Sequence, residues 1–123
     1  MANYSCTLDA NRAKLRRLVE QKLRPLAKVQ RVGYWGAGRI FNALCRYGGL
    51  RPGDVYCLVD RHLQSIVQTT EGVAIQRPER LKRLDPQVLV ILGRVSAEAM
   101  RKEARELGVV NVVTFAELME QVA

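Results

Sequence analysis

Two stretches, "DVYCLVD" at 54–60 and "QVLVILG" at 87–93, are apolar at nearly every position. A strand with one face in water alternates between apolar and polar residues. A strand without that alternation is buried on both faces, as in a parallel sheet covered by helices. Parallel neighbours cannot be joined by tight hairpins, so long crossovers must lie between the strands. The rest of the chain supplies them, and this property narrows the fold to an α/β architecture.

The segment "LDANRAKLRRLVEQKLRPLAKVQ" has Leu15, Leu18, Val19, Leu23 and Leu26 at helical spacing, with Thr7 or Asp9 placed to cap its start. Pro25 is expected to kink it or end its regular part. "RVGYWGAG" then reads as the first strand, stopped by glycines. "RIFNALCRYGG" reads as a helix with Ile40, Phe41, Leu44 and Cys45 on one face and Gly48-Gly49 as its stop. "LRPGD" is a turn. Segment 61–86 has no clear period: "VAI" suits a short strand and "PERLKRLD" a short helix with Pro in its first turn. "SAEAMRKEARELG" is a helix ending on Gly108, "NVVTF" a last strand and "AELMEQVA" a closing helix. Right-handed crossovers predict an open, mostly parallel sheet in the order 3-2-1-4-5, with helices on both faces. The division expected is a basic N-terminal helix, 1–30, packed on a domain of 31–123.

A chain of 123 residues suits one domain with a real core. No apolar run approaches the roughly 18–20 residues that cross a bilayer. The start, "MANYSCTLDANR", lacks the layout of a secretory signal. Cys6, Cys45 and Cys57 are far apart, without a CxxC pair, which fits a reduced, cytoplasmic setting rather than disulfides or a metal site. Net charge is +8. It is uneven, for residues 1–31 carry eight Lys/Arg against two acids and residues 32–123 twelve against ten.

The candidate site is Gly36-Ala37-Gly38, between the first strand and the following helix. In a dinucleotide-binding turn the first glycine permits the tight turn and the second lets the backbone approach a pyrophosphate. The phosphate then rests on the helix N-terminus. Gly36 and Gly38 fill those roles, while the third glycine position is Phe41, whose bulk must push the helix away or repack the contact. Asp60 lies 24 residues after Gly36, at the end of the second strand, where a carboxylate can accept ribose hydroxyls. Arg39 is placed to add charge to a phosphate, and Arg61 and His62 to reach an adenine or a 2′-phosphate. Arg94 falls at the tip of "QVLVILG", on the same sheet edge. The competing reading is an ordinary crossover turn with an empty pocket, Asp60 serving as a strand-end cap.

The order of these features resembles the C-terminal Rossmann-like domain of sugar C-methyltransferases. The stretches concerned are "NRAKLRRLVEQKL", "VGYWGAG", "CLVD" and "VAIQRPERLKRLDPQVLVIL", spanning roughly residues 11–115. The N-terminal nucleotide-binding domain of nucleoside-diphosphate-sugar dehydratases and epimerases is similar in its GAG turn and strand-end Asp. The resemblance implies a domain associated with nucleotide sugars, with Gly36, Gly38 and Asp60 on motif positions and Phe41 departing from them. It implies no methyl transfer by these residues, since that family's S-adenosylmethionine site and catalytic groups belong to a separate, preceding domain.

The residues themselves contain no Tyr-x-x-x-Lys pair, GxSxG elbow, HExxH or Walker lysine. Three functions stay open. The first is a module binding NAD(P) or a nucleotide sugar beside a partner enzyme or in a homo-oligomer. The second is a small NAD(P)-dependent oxidoreductase, or a component of an S-adenosylmethionine-dependent methyltransferase, whose catalytic residues are not identified. The third is a noncatalytic interaction domain. The leading helix, with Arg12, Lys14, Arg16, Arg17, Lys22, Arg24, Lys28 and Arg31, can meet a polyanion. It lacks the aromatic interleaving and helix-turn-helix spacing of specific DNA readers.

Overall fold

The computed structural model describes residues 11–93 and 96–122. Six strands form one sheet: β1 (Val32–Trp35), β2 (Cys57–Val59), β3 (Thr69–Thr70), β4 (Val73–Gln76), β5 (Val88–Ile91) and β6 (Val112–Thr114). Their order is β3-β4-β2-β1-β5-β6, and every pairing is parallel except β3 with β4.

This order differs from the expected 3-2-1-4-5, because segment 61–86 contributes two strands. After a 3-10 turn at Leu63–Ser65 the chain makes a hairpin, pairing Thr70 with Val73. Its two turn residues, Glu71 and Gly72, have φ of 51° and 78°, the left-handed pair whose twist suits a tight hairpin. The remainder of the segment is a 3-10 turn at Pro78–Arg80 running into a short helix, Leu81–Leu84.

Residues 11–29 are helical throughout (α1), with a π turn at Val19–Leu23 between α-helical stretches. Pro25 does not stop the helix, although the regular α-helical pattern gives way to the π turn immediately before it. Pro25 has no N–H, and its ring would clash with the carbonyl of Gln21 in a regular helix. The wider turn just before it, closed by Arg24 N–H to Val19 O, lets the helix run on to Val29. The other helices are α2 (Arg39–Arg46), α3 (Leu81–Leu84), α4 (Ala97–Glu106) and α5 (Phe115–Glu120). The positions proposed to cap α1, Thr7 and Asp9, lie outside the described residues, as does Arg94.

The four residues of β1 and the four of β5 are all buried. Their side chains go alternately to two cores. One lies between the sheet and α1, α2 and α5, with Leu18, Leu23, Val32, Tyr34, Phe41, Val90 and Leu118. The other lies between the sheet and α3 and α4, with Trp35, Val59, Leu81, Ile91 and Ala104. The basic helix α1 packs on the sheet and forms one wall of the first core. Close approach of α1 to α2 depends on Gly48, where a Cβ would stand 2.8 Å from Val19 Cγ2.

Candidate functional site

β1 sits between β2 and β5, so the chain leaves its C-terminal end toward one side of the sheet and later returns on the other. Such a switch point opens a crevice at the carboxyl ends of the strands. Here the crevice is a cleft of about 540 Å³, lined by Gly36, Gly38, Arg39, Asp60, Leu92 and Met100 among others.

Gly36 leaves β1 at φ 122°, a conformation that favours glycine, and a Cβ there would stand 3.2 Å from Leu92 Cβ. Its N–H donates to Val59 O at 2.9 Å, continuing the sheet one step past β1. Ala37, buried, donates its N–H to Asp60 Oδ2 at 2.9 Å. The two N–H groups at the mouth of the turn are therefore bonded inside the protein.

Asp60 binds on its other oxygen too. Oδ1 accepts from His62 N at 3.0 Å and Leu63 N at 2.8 Å. A carboxylate offers about four acceptor positions, so about one stays open toward the cleft.

The donors left for a ligand lie one step further along. Asn42 N–H to Gly38 O, 3.0 Å, is the first bond of α2, so the N–H groups of Arg39, Ile40 and Phe41 lack intrahelical acceptors. A Cβ at Gly38 would meet nothing within 4 Å. Arg39 is exposed at the rim. Phe41 takes the repacking route: wholly buried, it meets Tyr34 edge-on, with 6.0 Å between ring centroids and 62° between planes. Its ring lies in the core between α2 and β1.

The structure thus brings Gly36, Gly38, Arg39 and Asp60 to one cleft, with Ala37 buried beside them. Arg61 is elsewhere. It pairs with Glu103 of α4 and with Glu79 at 3.3 Å, its guanidinium 6.0 Å from the Trp35 ring centroid. Sequence reasoning missed the apolar wall formed by Leu92, Gly93 and Met100. The switch-point rule, applied to the end of β5, was the signal that could have found it.

The two described cysteines lie off the cleft. Burial pushes the Cys57 thiol up to about 12 and the Cys45 thiol up to about 11. Among the described residues no helix is long and apolar enough to cross a membrane. No family model, curated protein or solved structure matches the chain.

Proposed function

We propose that the chain is a Rossmann-like nucleotide-binding module. It takes a dinucleotide of the NAD type or a nucleotide sugar and works beside a partner enzyme. The supporting observation is the switch-point cleft, which opens over the start of α2 at a residue whose missing Cβ leaves free space. A phosphate there meets the N–H groups of the first helical turn and the charge of Arg39. The base or nicotinamide lies against Leu92 and Met100, whose flexible thioether adapts to a ring face. Asp60 has one acceptor position for a ribose hydroxyl.

The test is thermal denaturation with NAD, NADP and a UDP-sugar, on wild type and Gly38→Ala. Ligand at a hundred times its Kd stabilises by about 2.7 kcal/mol. A clear rise in Tm is expected for wild type with at least one ligand. It should shrink in Gly38→Ala, whose own Tm stays near wild type because the methyl enters open space. No shift at millimolar ligand would refute the reading. One observation favours the alternative of a noncatalytic interaction domain, namely the internal bonding of Gly36, Ala37 and Asp60. A flat ligand screen would leave that alternative standing.

A further inference from the structure

We infer that the sheet edge opposite the cleft is a binding surface for single-stranded nucleic acid. In a parallel sheet, the residues just before each strand emerge along one edge, however far apart they are in sequence. Here they include Arg31 before β1, Tyr56 before β2 and 85–87 before β5.

The Arg31 guanidinium lies 5.6 Å from the Tyr56 ring centroid, and its Nη2 donates to Asp85 O at 3.1 Å. The Tyr56 hydroxyl donates to Leu84 O at 2.7 Å. Ring and guanidinium are each held by a hydrogen bond, yet Tyr56 remains 42% exposed. Beside them runs a groove of about 340 Å³ lined by Gln30, Pro52 and Gly53, among others. Exposed Lys28, Arg51, Lys82 and Arg83 are carried by the segments that reach this edge. Two acids share this edge: Asp54, which accepts from Arg24 Nε at 3.4 Å and Arg51 N at 3.0 Å, and the exposed Asp85.

The groove lining itself balances Arg31 against Asp54, but the exposed Lys28, Arg51, Lys82 and Arg83 around it leave the edge basic. Such a rim attracts a phosphate chain of any sequence, and a planar ring–guanidinium pair gives unpaired bases a stacking platform. A lipid surface instead rewards a row of exposed apolar side chains. Among the described residues the exposed aliphatic ones near this edge are Val29 and Val110.

The experiment is fluorescence anisotropy with the full chain and four probes. These are an oligothymidylate of about 16 nucleotides, an abasic strand of equal length, a duplex, and phosphatidylserine vesicles. Oligothymidylate should bind at least about fivefold tighter than the abasic strand. Tyr56→Leu should erase that preference. The double variant Arg31→Gln/Arg83→Gln should flatten the salt dependence by about 1.4 in log–log slope, two phosphates at about 0.7 each. The control pair Lys102→Gln/Arg105→Gln on α4 removes the same charge and should leave the slope in place. Equal binding of abasic and base-bearing strands, preference for duplex or vesicles, or an equal effect of the control pair would each overturn the inference. Gly38→Ala lies across the sheet and should not affect this binding, so the two proposals fail separately.

Discussion

The Asp60 carboxylate accepts three backbone N–H bonds, one from the glycine turn and two from the loop after β2. Hydrogen bonds to a charged group are worth about 1.5–3 kcal/mol each and do not add fully. Asp60→Ala is therefore expected to destabilise the protein by about 3 kcal/mol in urea denaturation without any ligand, and Asp60→Asn by roughly half that. An unchanged midpoint for Asp60→Ala would show that the clamp carries little. The acid itself was legible as a strand-end residue. Its bonds to His62 and Leu63 are local, but its bond to Ala37 was not legible, because it depends on the register pairing Trp35 with Val59, which sets Asp60 beside the turn. A second residue-scale prediction concerns Cys57. Its folded pKa, raised by burial, lies above the ordinary thiol value, so the native state holds a proton that the unfolded chain releases first. Stability should be whole below pH about 9 and fall toward about 12. Cys57→Ala should flatten that alkaline decline. Native Cys57 should also resist iodoacetamide at neutral pH, read by peptide mass spectrometry.

Elements with a strong period were legible: α4 and the buried strands follow directly from spacing and unbroken apolar runs. β4 was read in part, as the "VAI" strand, but β3 and its hairpin were not, because a two-residue strand has no period and Glu-Gly is a weaker turn signal than Asn-Gly. The π turn in α1 was equally invisible, since Pro25 advertises a break, whereas the helix runs on past it with Val19 and Leu23 buried in the turn. α5 offers the clearest test at this scale. Thr114 Oγ accepts from Glu117 N at 3.2 Å, and Glu117 Oε1 accepts from Thr114 N at 2.8 Å, a reciprocal cap. Thr114→Ala should cost about 1 kcal/mol. The Thr114 N–H holds the Glu117 carboxyl below its ordinary range, with Arg101 adding to the effect. The cap's contribution is thus present above the unfolded carboxyl value of 4.5 and lost as pH falls through the lower folded value. Thr114→Ala keeps that backbone N–H, so the titrating half is tested by Glu117→Gln. Acid titrations of wild type and Glu117→Gln should converge as pH falls, and parallel curves would show that the bond carries no charge-dependent stability.

At the scale of the molecule, α1 carries both the excess charge and part of the core. Leu18, Val19 and Leu23 are essentially inaccessible and Leu15 nearly so. Burying each such side chain contributes about 1.5–3 kcal/mol, roughly 6–12 kcal/mol for the four. That rivals the whole stability of a typical domain, about 5–15 kcal/mol. A chain beginning at residue 30 would also uncover Tyr34, Phe41 and Leu44, which close the same core. It should show no cooperative thermal transition and weak near-ultraviolet dichroism. A sharp transition in that truncated chain would mean that the remaining residues fold without α1. Deleting the helix therefore cannot ask what its charge is for, because loss of binding would follow from loss of fold. Exposed Arg16 and Lys22 allow the separation. Arg16→Gln/Lys22→Gln should change stability by no more than about 0.5 kcal/mol per site. Its polyanion affinity, measured beside that of Arg31→Gln/Arg83→Gln, then says which face of the molecule the charge serves.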